Sequence, residues 1–180
     1  MKQLMWAMVA LAGAFSGFAA RATTDIPMSL TSDSNQRVTA PSWAEITGLP
    51  GSLPAHWELI ETELSAIWLL KNQDDPNLQG RISAQLIDDD ILLKDEVDLM
   101  ADSFKTQSAK VTRISGTYGP VSTEEIDLST SEENENVSGI FVFTRYENKV
   151  YMVLLTSNSD ITRLEKYKNQ LMSSIFLPKK

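Results

Sequence analysis

Short runs in which apolar and polar residues alternate recur along the chain and predict a sheet of half-buried strands. The clearest run opens at Gly80, where Ile82, Ala84 and Leu86 alternate with polar residues, as expected when only one face of a strand is buried. Residues 57–61 and 66–70 predict a hairpin or a bent strand, and residues 110–118 predict a further strand.

The two most apolar runs, residues 140–143 and 150–155, predict the central strands, because a strand buried on both faces is continuously apolar. Residues 147–149 between them predict a tight turn. Residues 121–128 are polar and alternate only weakly, which favours an edge strand. Residues 129–136 are polar and acidic, so we expect a loop there.

Helical periodicity replaces the alternation in two places. The first lies after residue 90, where apolar residues recur at spacings of four, three and four and so share one helix face. These residues are Leu93, Val97, Met100 and Phe104. The residues predicted to point away from the core are Lys94, Asp98, Ala101 and Lys105.

The second helix is predicted to begin after a capping Ser159 or Asp160, since both side chains can accept hydrogen bonds from the first turn. Its core side is predicted to hold Ile161, Leu164, Leu171 and Ile175. Its exposed side is predicted to hold Arg163, Glu165, Lys166 and Lys168. The predicted order of elements is a group of strands, a helix, a second group of strands and a last helix. This order indicates an α+β fold, an antiparallel sheet with two packed helices.

The N-terminus has the pattern of a secretory signal. Lys2 precedes an uncharged apolar stretch from residue 4 to 18, and small residues flank Arg21, which together match the order of charged, apolar and cleavage regions. The apolar stretch is shorter than the roughly 20 residues that a membrane-spanning helix needs. We therefore expect residues 1–22 to be removed on export, leaving no stable membrane span and a periplasmic or secreted protein.

Charge and cysteine content narrow the functional classes. The net charge of −8 becomes −10 once Lys2 and Arg21 are removed with the signal, and polyanions such as nucleic acid require basic patches. We therefore expect no nucleic-acid partner. The chain contains no cysteine, so thiolate catalysis, thiolate metal sites and disulfides are excluded.

Residues 23–53 are rich in Ser and Thr and hold Pro27, Pro41 and Pro50, and proline interrupts both helices and strand ladders. They are predicted to form a leader or linker, with the folded domain covering residues 54–180. Trp43 and Ile46 could dock a few leader residues onto that domain.

Three short motifs, at residues 54–57, 114–116 and 174–176, together resemble those of PsbP/DcrB-like domains, which form exported layered sandwiches. Residues 54–57, Pro-Ala-His-Trp, resemble the entry to their first strand, and residues 114–116, Ile-Ser-Gly, resemble a mid-domain strand. Residues 174–176, Ser-Ile-Phe, resemble their closing segment after the last helix. The resemblance covers about residues 54–178. It implies a PsbP-like layered sandwich and an accessory role, with no catalytic motif to transfer.

Several residues could carry chemistry, and each has a simpler structural explanation. His56 is the one histidine, but no nucleophile motif accompanies it. Asp88, Asp89 and Asp90 lack the spaced ligands of a calcium loop and suit a helix cap. The pairs Glu124–Glu125 and Glu132–Glu133 are neighbours that point apart, whereas glycoside hydrolysis needs facing carboxyls, so we expect solvated loops. We predict no cofactor, no metal and no catalytic residue.

The sequence thus predicts a non-catalytic accessory or protein-binding module whose partner is another envelope or secreted protein. Trp43, His56 and Trp57 are the candidate partner-binding residues. Trp43 is the best of them because it lies outside the predicted core strands, whereas core packing more often explains a buried Trp. Two alternatives remain. One is an inhibitor or immunity-type protein steered to a cationic partner by its acidity. The other is a small-ligand or lipid carrier with a cavity lined by Val97, Phe104, Phe141 and Val153.

Overall fold

The computed structural model describes residues 42–60, 66–86, 93–105, 110–132, 135–158 and 160–177. They form seven strands and three helices. The strands are β1 (Trp57–Ile60), β2 (Ile67–Asn72), β3 (Gln79–Leu86), β4 (Lys110–Tyr118), β5 (Val121–Glu132), β6 (Glu135–Tyr146) and β7 (Lys149–Ser157). The helices are α1 (Trp43–Thr47), α2 (Leu93–Lys105) and α3 (Ile161–Phe176).

All seven strands pair antiparallel in one sheet of order β1-β2-β3-β7-β6-β5-β4. The predicted α+β fold, an antiparallel sheet with two packed helices, is confirmed, and α1 is an additional short helix. The most apolar strand, β7, lies at the centre of the sheet, as predicted. Helix α2 packs against β4, β5 and β6, and helix α3 packs against β4 to β7.

The two helices cover opposite faces of the sheet, because alternate residues of a strand point to opposite sides. Ile140, Val142 and Val153 belong to the core cluster that contains the buried residues of α3. Phe141 lies between Ile140 and Val142 in sequence, so its side chain points to the other face. It contacts Phe104 of α2, with ring centroids 5.2 Å apart. We refer to these faces as the α3 side and the α2 side.

Strand β5 corrects two expectations. It is an interior strand between β4 and β6, and the edge strand is β4. The pairing of β5 with β6 continues to Glu132 opposite Glu135, so most of the region predicted as a loop is strand. Ile126 and Leu128 are completely buried on the α2 side. The side chains of β5 on the α3 side are mainly polar, and for this reason the sequence predicted an edge strand.

Helix α2 corrects a third expectation. Val97 and Phe104 are buried as predicted, but Ala101 is buried with them rather than pointing to solvent. Ala101 lies four residues after Val97 and three before Phe104, so it belongs to the same face. A small side chain there lets the helix approach the sheet.

Packing begins before residue 54, where the domain was expected to start. Ser42 and Glu45 form a capping box at the start of α1, and Leu49 is fully buried in the core cluster. The Tyr151 hydroxyl donates a 2.9 Å hydrogen bond to the Thr47 carbonyl. The end of the predicted leader therefore docks on the sheet, through Trp43 and Leu49 rather than Ile46, which is exposed.

Candidate functional site

A lysine and two carboxylates are buried together beneath α3. Lys168 Nζ donates to Glu125 Oε1 at 2.5 Å, and the relative exposures are 7% for Lys168, 3% for Glu125 and 8% for Asp127. Glu125 and Asp127 are two residues apart in β5 and so point to the same face. Two expectations are thereby wrong: Lys168 does not decorate the exposed side of α3, and Glu125 does not lie in a solvated loop.

The charges of this cluster are unbalanced. Desolvation raises the pKa of Asp127 to about 7, assisted by a hydrogen bond and charge repulsion from Glu125, and opposed by Lys168. The pKa of Lys168 is raised by Glu125 despite the opposing effect of burial. Asp127 Oδ1 has no hydrogen-bond partner among the described residues. The cluster thus holds one cation for two carboxylates, and burial raises the pKa of Asp127 and so favours its protonated form.

Tyr118 closes the edge of this cluster. Its hydroxyl donates a 2.6 Å hydrogen bond to Asn169 Oδ1, which links edge strand β4 to α3. Burial raises the pKa of Tyr118, while the charge of Lys168 opposes the rise. Tyr118 therefore lies next to the charged cluster and joins β4 to α3 beside it.

A second charged group lies on the α2 side and joins β4 to α2. Arg113 Nε donates to Asp98 Oδ1 of α2 at 3.0 Å, and its Nη2 donates to Glu124 Oε2 at 3.0 Å. Ser115 Oγ also donates to Glu124 Oε2, at 2.9 Å. Glu124 and Glu125 point apart, as predicted. Glu124 lies on the α2 side of the sheet, and Glu125 lies on the α3 side.

The α2 side of strands β1 to β3 is the most exposed apolar part of the described sheet, and we call it the open face. Helix α2 packs on β4, β5 and β6, which lie in the other half. Ile60 and Leu69 form a direct cross-strand pair and are 44% and 41% exposed. The strand register places Ile67, Arg81 and Ser83 on this side with Ile60 and Leu69, together with the polar residues Glu58, Lys71 and Gln79.

Arg81 lies at the inner border of the open face, opposite Leu69 on one side and Leu154 on the other. Its side chain is partly buried, and its Nε is shielded from solvent without a hydrogen-bond partner in the described chain. Burial alone lowers the pKa of its guanidinium. No sequence signal distinguished Arg81, since an arginine in an alternating strand is expected on the solvated face.

The candidate residues Trp43, His56 and Trp57 have structural positions of their own. Trp57 is buried, and its ring meets the Tyr167 ring of α3 edge-on at 6.4 Å. Trp43 is partly buried against the same core cluster. Core packing explains both, and their role in partner binding stays a prediction.

His56 lies exposed in the turn before β1, with Nδ1 3.3 Å from Asp74 Oδ1. Its backbone φ is +68°, a left-handed conformation that is uncommon outside glycine. Its carbonyl accepts a 2.7 Å hydrogen bond from the Gln73 amide. His56 therefore joins two turns, and no hydroxyl nucleophile is seen to bond to its ring within the described residues.

Clusters of metal ligands and membrane-spanning helices are both absent from the described part of the chain. No group of three or more His, Cys, Asp or Glu side chains that could hold a metal occurs there. Asp88, Asp89 and Asp90 lie outside the described residues. Among the described helices, none is long and apolar enough to cross a membrane.

No family model matches the chain, and no curated protein matches it significantly. Among solved structures, a protein of unknown function from Pseudomonas aeruginosa, PA94, is 17% identical, with 70% of this chain and 99% of that chain covered and a TM-score of 0.50. The cyanobacterial PsbP (CyanoP) of Synechocystis sp. PCC 6803 is 12% identical, with coverages of 70% and 84% and a TM-score of 0.49. LpqN, involved in cell envelope biogenesis of Mycobacterium tuberculosis, is 17% identical, with coverages of 69% and 83% and a TM-score of 0.43.

At these identities the similarity concerns the fold alone. The predicted resemblance to PsbP-like domains is confirmed at that level. Two of the three motifs lie where they were expected, since Trp57 opens β1 and residues 114–116 lie in β4. Residues 174–176 form the last turn of α3 rather than a segment after it.

Proposed function

We propose that the chain is a non-catalytic exported accessory protein that binds another protein of the envelope or secreted space. The observation that carries this proposal is the open face, where Ile60 and Leu69 are both more than two-fifths exposed. Sheets in layered folds bury their faces against a second layer, and contiguous exposed apolar side chains mark interaction surfaces. Partner binding gives this half of the sheet the layer that α2 gives the other half.

The position of the buried charges supports a non-catalytic role. A general acid or base must come within hydrogen-bond reach of its substrate, but Glu125, Asp127 and Lys168 are at most 8% exposed. Lys168 is also held by Glu125. These groups fasten α3 to the sheet, which accounts for them without a reaction.

Export is supported by the N-terminal pattern of a charged start, an apolar stretch and small residues. In such a compartment, a domain without cysteines relies on its apolar core for stability. The two-sided core of the described sheet fits this requirement.

A small-ligand or lipid carrier was expected to have one cavity lined by four residues, which requires all four to lie on the same side of the sheet. Val97, Phe104 and Phe141 lie on the α2 side, whereas Val153 belongs to the core on the α3 side. The sheet separates them, so the four residues cannot line one cavity. The expectation of a shared cavity was wrong because sequence runs do not show which face each strand residue occupies.

The proposal is tested by affinity capture of the tagged full chain from its native host, comparing Ile60→Ser and Leu69→Ser with the unchanged protein. Burying the exposed two-fifths of one such side chain stabilises a complex by about 0.6–1.2 kcal/mol, so each variant should bind a specific partner roughly three- to eightfold more weakly. Leu99→Ser is the matched control, since Leu99 is 70% exposed on α2.

Capture that is equal for all three variants would show that the open face does not bind the partner. Robust hydrolytic turnover by the purified domain, retained on replacing Ile60 and Leu69, would overturn the non-catalytic part. Circular dichroism and the melting temperature of each variant separate lost binding from lost folding.

A further inference from the structure

A single cross-strand row on the α2 side runs through all seven strands and places an arginine in each half. In order from β1 to β4 it contains Ile60, Leu69, Arg81, Leu154, Phe141, Ile126 and Arg113. Its covered half lies under α2 and ends on Arg113. Its other half is the open face, bordered by Arg81.

The covered half shows how this sheet accepts a helix. Helix α2 places Phe104 against Phe141 and Asp98 against Arg113. One helix thus supplies both an apolar surface and a carboxylate. The apolar contacts exclude water, and the ion pair fixes the position of the helix on the sheet, since Arg–carboxylate bonds are directional.

The open half presents the same two kinds of group without their counterparts. Ile60 and Leu69 are exposed apolar side chains, and Arg81 meets no carboxylate in the described part of the chain. The Arg81 side chain is only partly buried, so a partner carboxylate can approach its guanidinium from the open side. Lys71, on the same side of β2, lies directly opposite Glu58 of β1, so these two charges offset each other and Arg81 remains the charge of this face without a counterpart in the described chain.

We propose that the open face binds an amphipathic helix of a partner protein, whose apolar side covers Ile60 and Leu69 and whose Asp or Glu pairs with Arg81. This inference rests on the proposed protein-binding function and adds the chemistry of the partner. The axes of β1 and β3 are about 10 Å apart at ordinary strand spacing, which matches the diameter of about 10 Å of one helix. A helix that carries a carboxylate fits this face because of Arg81, since the charge of Lys71 already lies opposite Glu58.

The test begins with the full chain carrying the photo-crosslinker p-benzoylphenylalanine in place of Leu69, expressed in its native host. The crosslinked partner segment is mapped by mass spectrometry and synthesised as a peptide. We expect a segment with apolar residues at helical spacing and an acidic residue beside them. The same crosslinker in place of Leu99 is the control.

Binding of that peptide is then measured for the unchanged protein, Arg81→Gln and Lys94→Gln. Arg81→Gln should weaken binding at least about tenfold, as should replacing the acidic residue of the peptide by its amide, because each change leaves a charged partner unpaired. Combining the two changes should cost little more than either alone. Lys94→Gln removes the same charge from α2 and should leave the affinity within twofold.

Other occupants overturn the proposal: a crosslink to residues of the chain itself, to a second copy, to lipid, or to a segment without an acidic residue. The absence of any crosslink at Leu69 also overturns it. If Leu69→Ser abolishes binding while Arg81→Gln does not, the proposed function survives and the pairing with Arg81 fails. If neither variant weakens binding, both proposals fail.

Discussion

Lys168 of α3 and Glu125 of β5 form a 2.5 Å ion pair between two side chains that are almost completely buried. The pair lies 43 residues apart in sequence and fastens the C-terminal helix to the strand beside the edge of the sheet. Asp127 lies on the same side of β5, so three ionisable side chains are buried next to the apolar core cluster. The contribution of the ion pair to stability is revealed by removing one partner, because an unpaired buried charge has a high free energy.

Replacing Lys168 with methionine should destabilise the protein by about 3–5 kcal/mol, because Glu125 would keep a buried charge without a partner. The free energy of unfolding at neutral pH, measured by urea titration, tests this. Adding Glu125→Gln to Lys168→Met should recover part of the loss, since both charges are then absent. Lys166→Met, at an exposed position of α3, is the matched control and should change the stability by less than about 0.5 kcal/mol. A loss for Lys168→Met no larger than that of this control would show that water solvates the pair.

The raised pKa of Asp127 predicts that stability falls as the pH rises. Its pKa is 3.8 as an isolated group and about 7 in the fold, so the folded state binds the proton more tightly. The stabilisation is complete below the unfolded pKa and is lost as the pH rises through the folded pKa, at no more than about 1.4 kcal/mol per pH unit.

Asp127→Asn should therefore flatten the pH dependence of unfolding between about pH 4 and pH 7, because an amide cannot lose the proton. Asp95→Asn, on the exposed side of α2, should leave the slope as it is in the unchanged protein. Urea titrations at several pH values provide the measurement. Equal slopes for the unchanged protein and Asp127→Asn would contradict the assignment of the proton to Asp127.

Gly51 lies where no side chain fits. A Cβ at this position would come 1.9 Å from the Ser174 carbonyl oxygen, while the Gly51 amide donates to the Ile175 carbonyl at 2.9 Å. Gly51→Ala should displace this segment from the end of α3 and cost about 1–3 kcal/mol. Gly116→Ala is the control, because its Cβ would meet only Thr123 Oγ1 at 3.4 Å. Thermal unfolding of both variants should separate them, and equal melting temperatures would contradict this contact.

The docked segment before β1 predicts that a chain starting at residue 54 is less stable than one starting at residue 42. The shorter chain loses the buried side chain of Leu49, whose burial contributes about 1.5–3 kcal/mol, and the hydrogen bond from Tyr151 to Thr47. Differential scanning calorimetry of the two purified chains provides the comparison. Coincident melting curves would place the start of the folded domain at Pro54, as expected from the prolines alone.

Periodicity predicted the apolar elements well because burial on a regular element leaves a repeating pattern. The hairpin of β1 and β2, the alternating β3, the central β6 and β7 and both long helices were predicted near their observed positions. The predicted cap of the last helix is also confirmed, since Asp160 accepts a hydrogen bond from the Thr162 amide.

The same periodicity failed wherever a polar side chain is buried by a partner distant in sequence. Lys168 was placed on the solvated side of its helix, and β5 was placed at the edge of the sheet, because lysine and glutamate are rarely buried alone. Pairing with Glu125 makes the burial of Lys168 possible, but this ion pair forms only when α3 packs on β5. The open face was missed because no pattern within β2 or β3 shows which part of the sheet α2 covers.

The sequence by itself determined the elements of this protein, its acidity and its lack of thiol chemistry, because these depend on local spacing and composition. Only the tertiary structure decided the strand order, the burial of Lys168 and the different surroundings of Arg81 and Arg113. Those features depend on contacts between segments far apart in the chain. The burial and the pairing of such a side chain depend on the residues that pack against it from other strands and helices. The local sequence pattern does not show which residues these are.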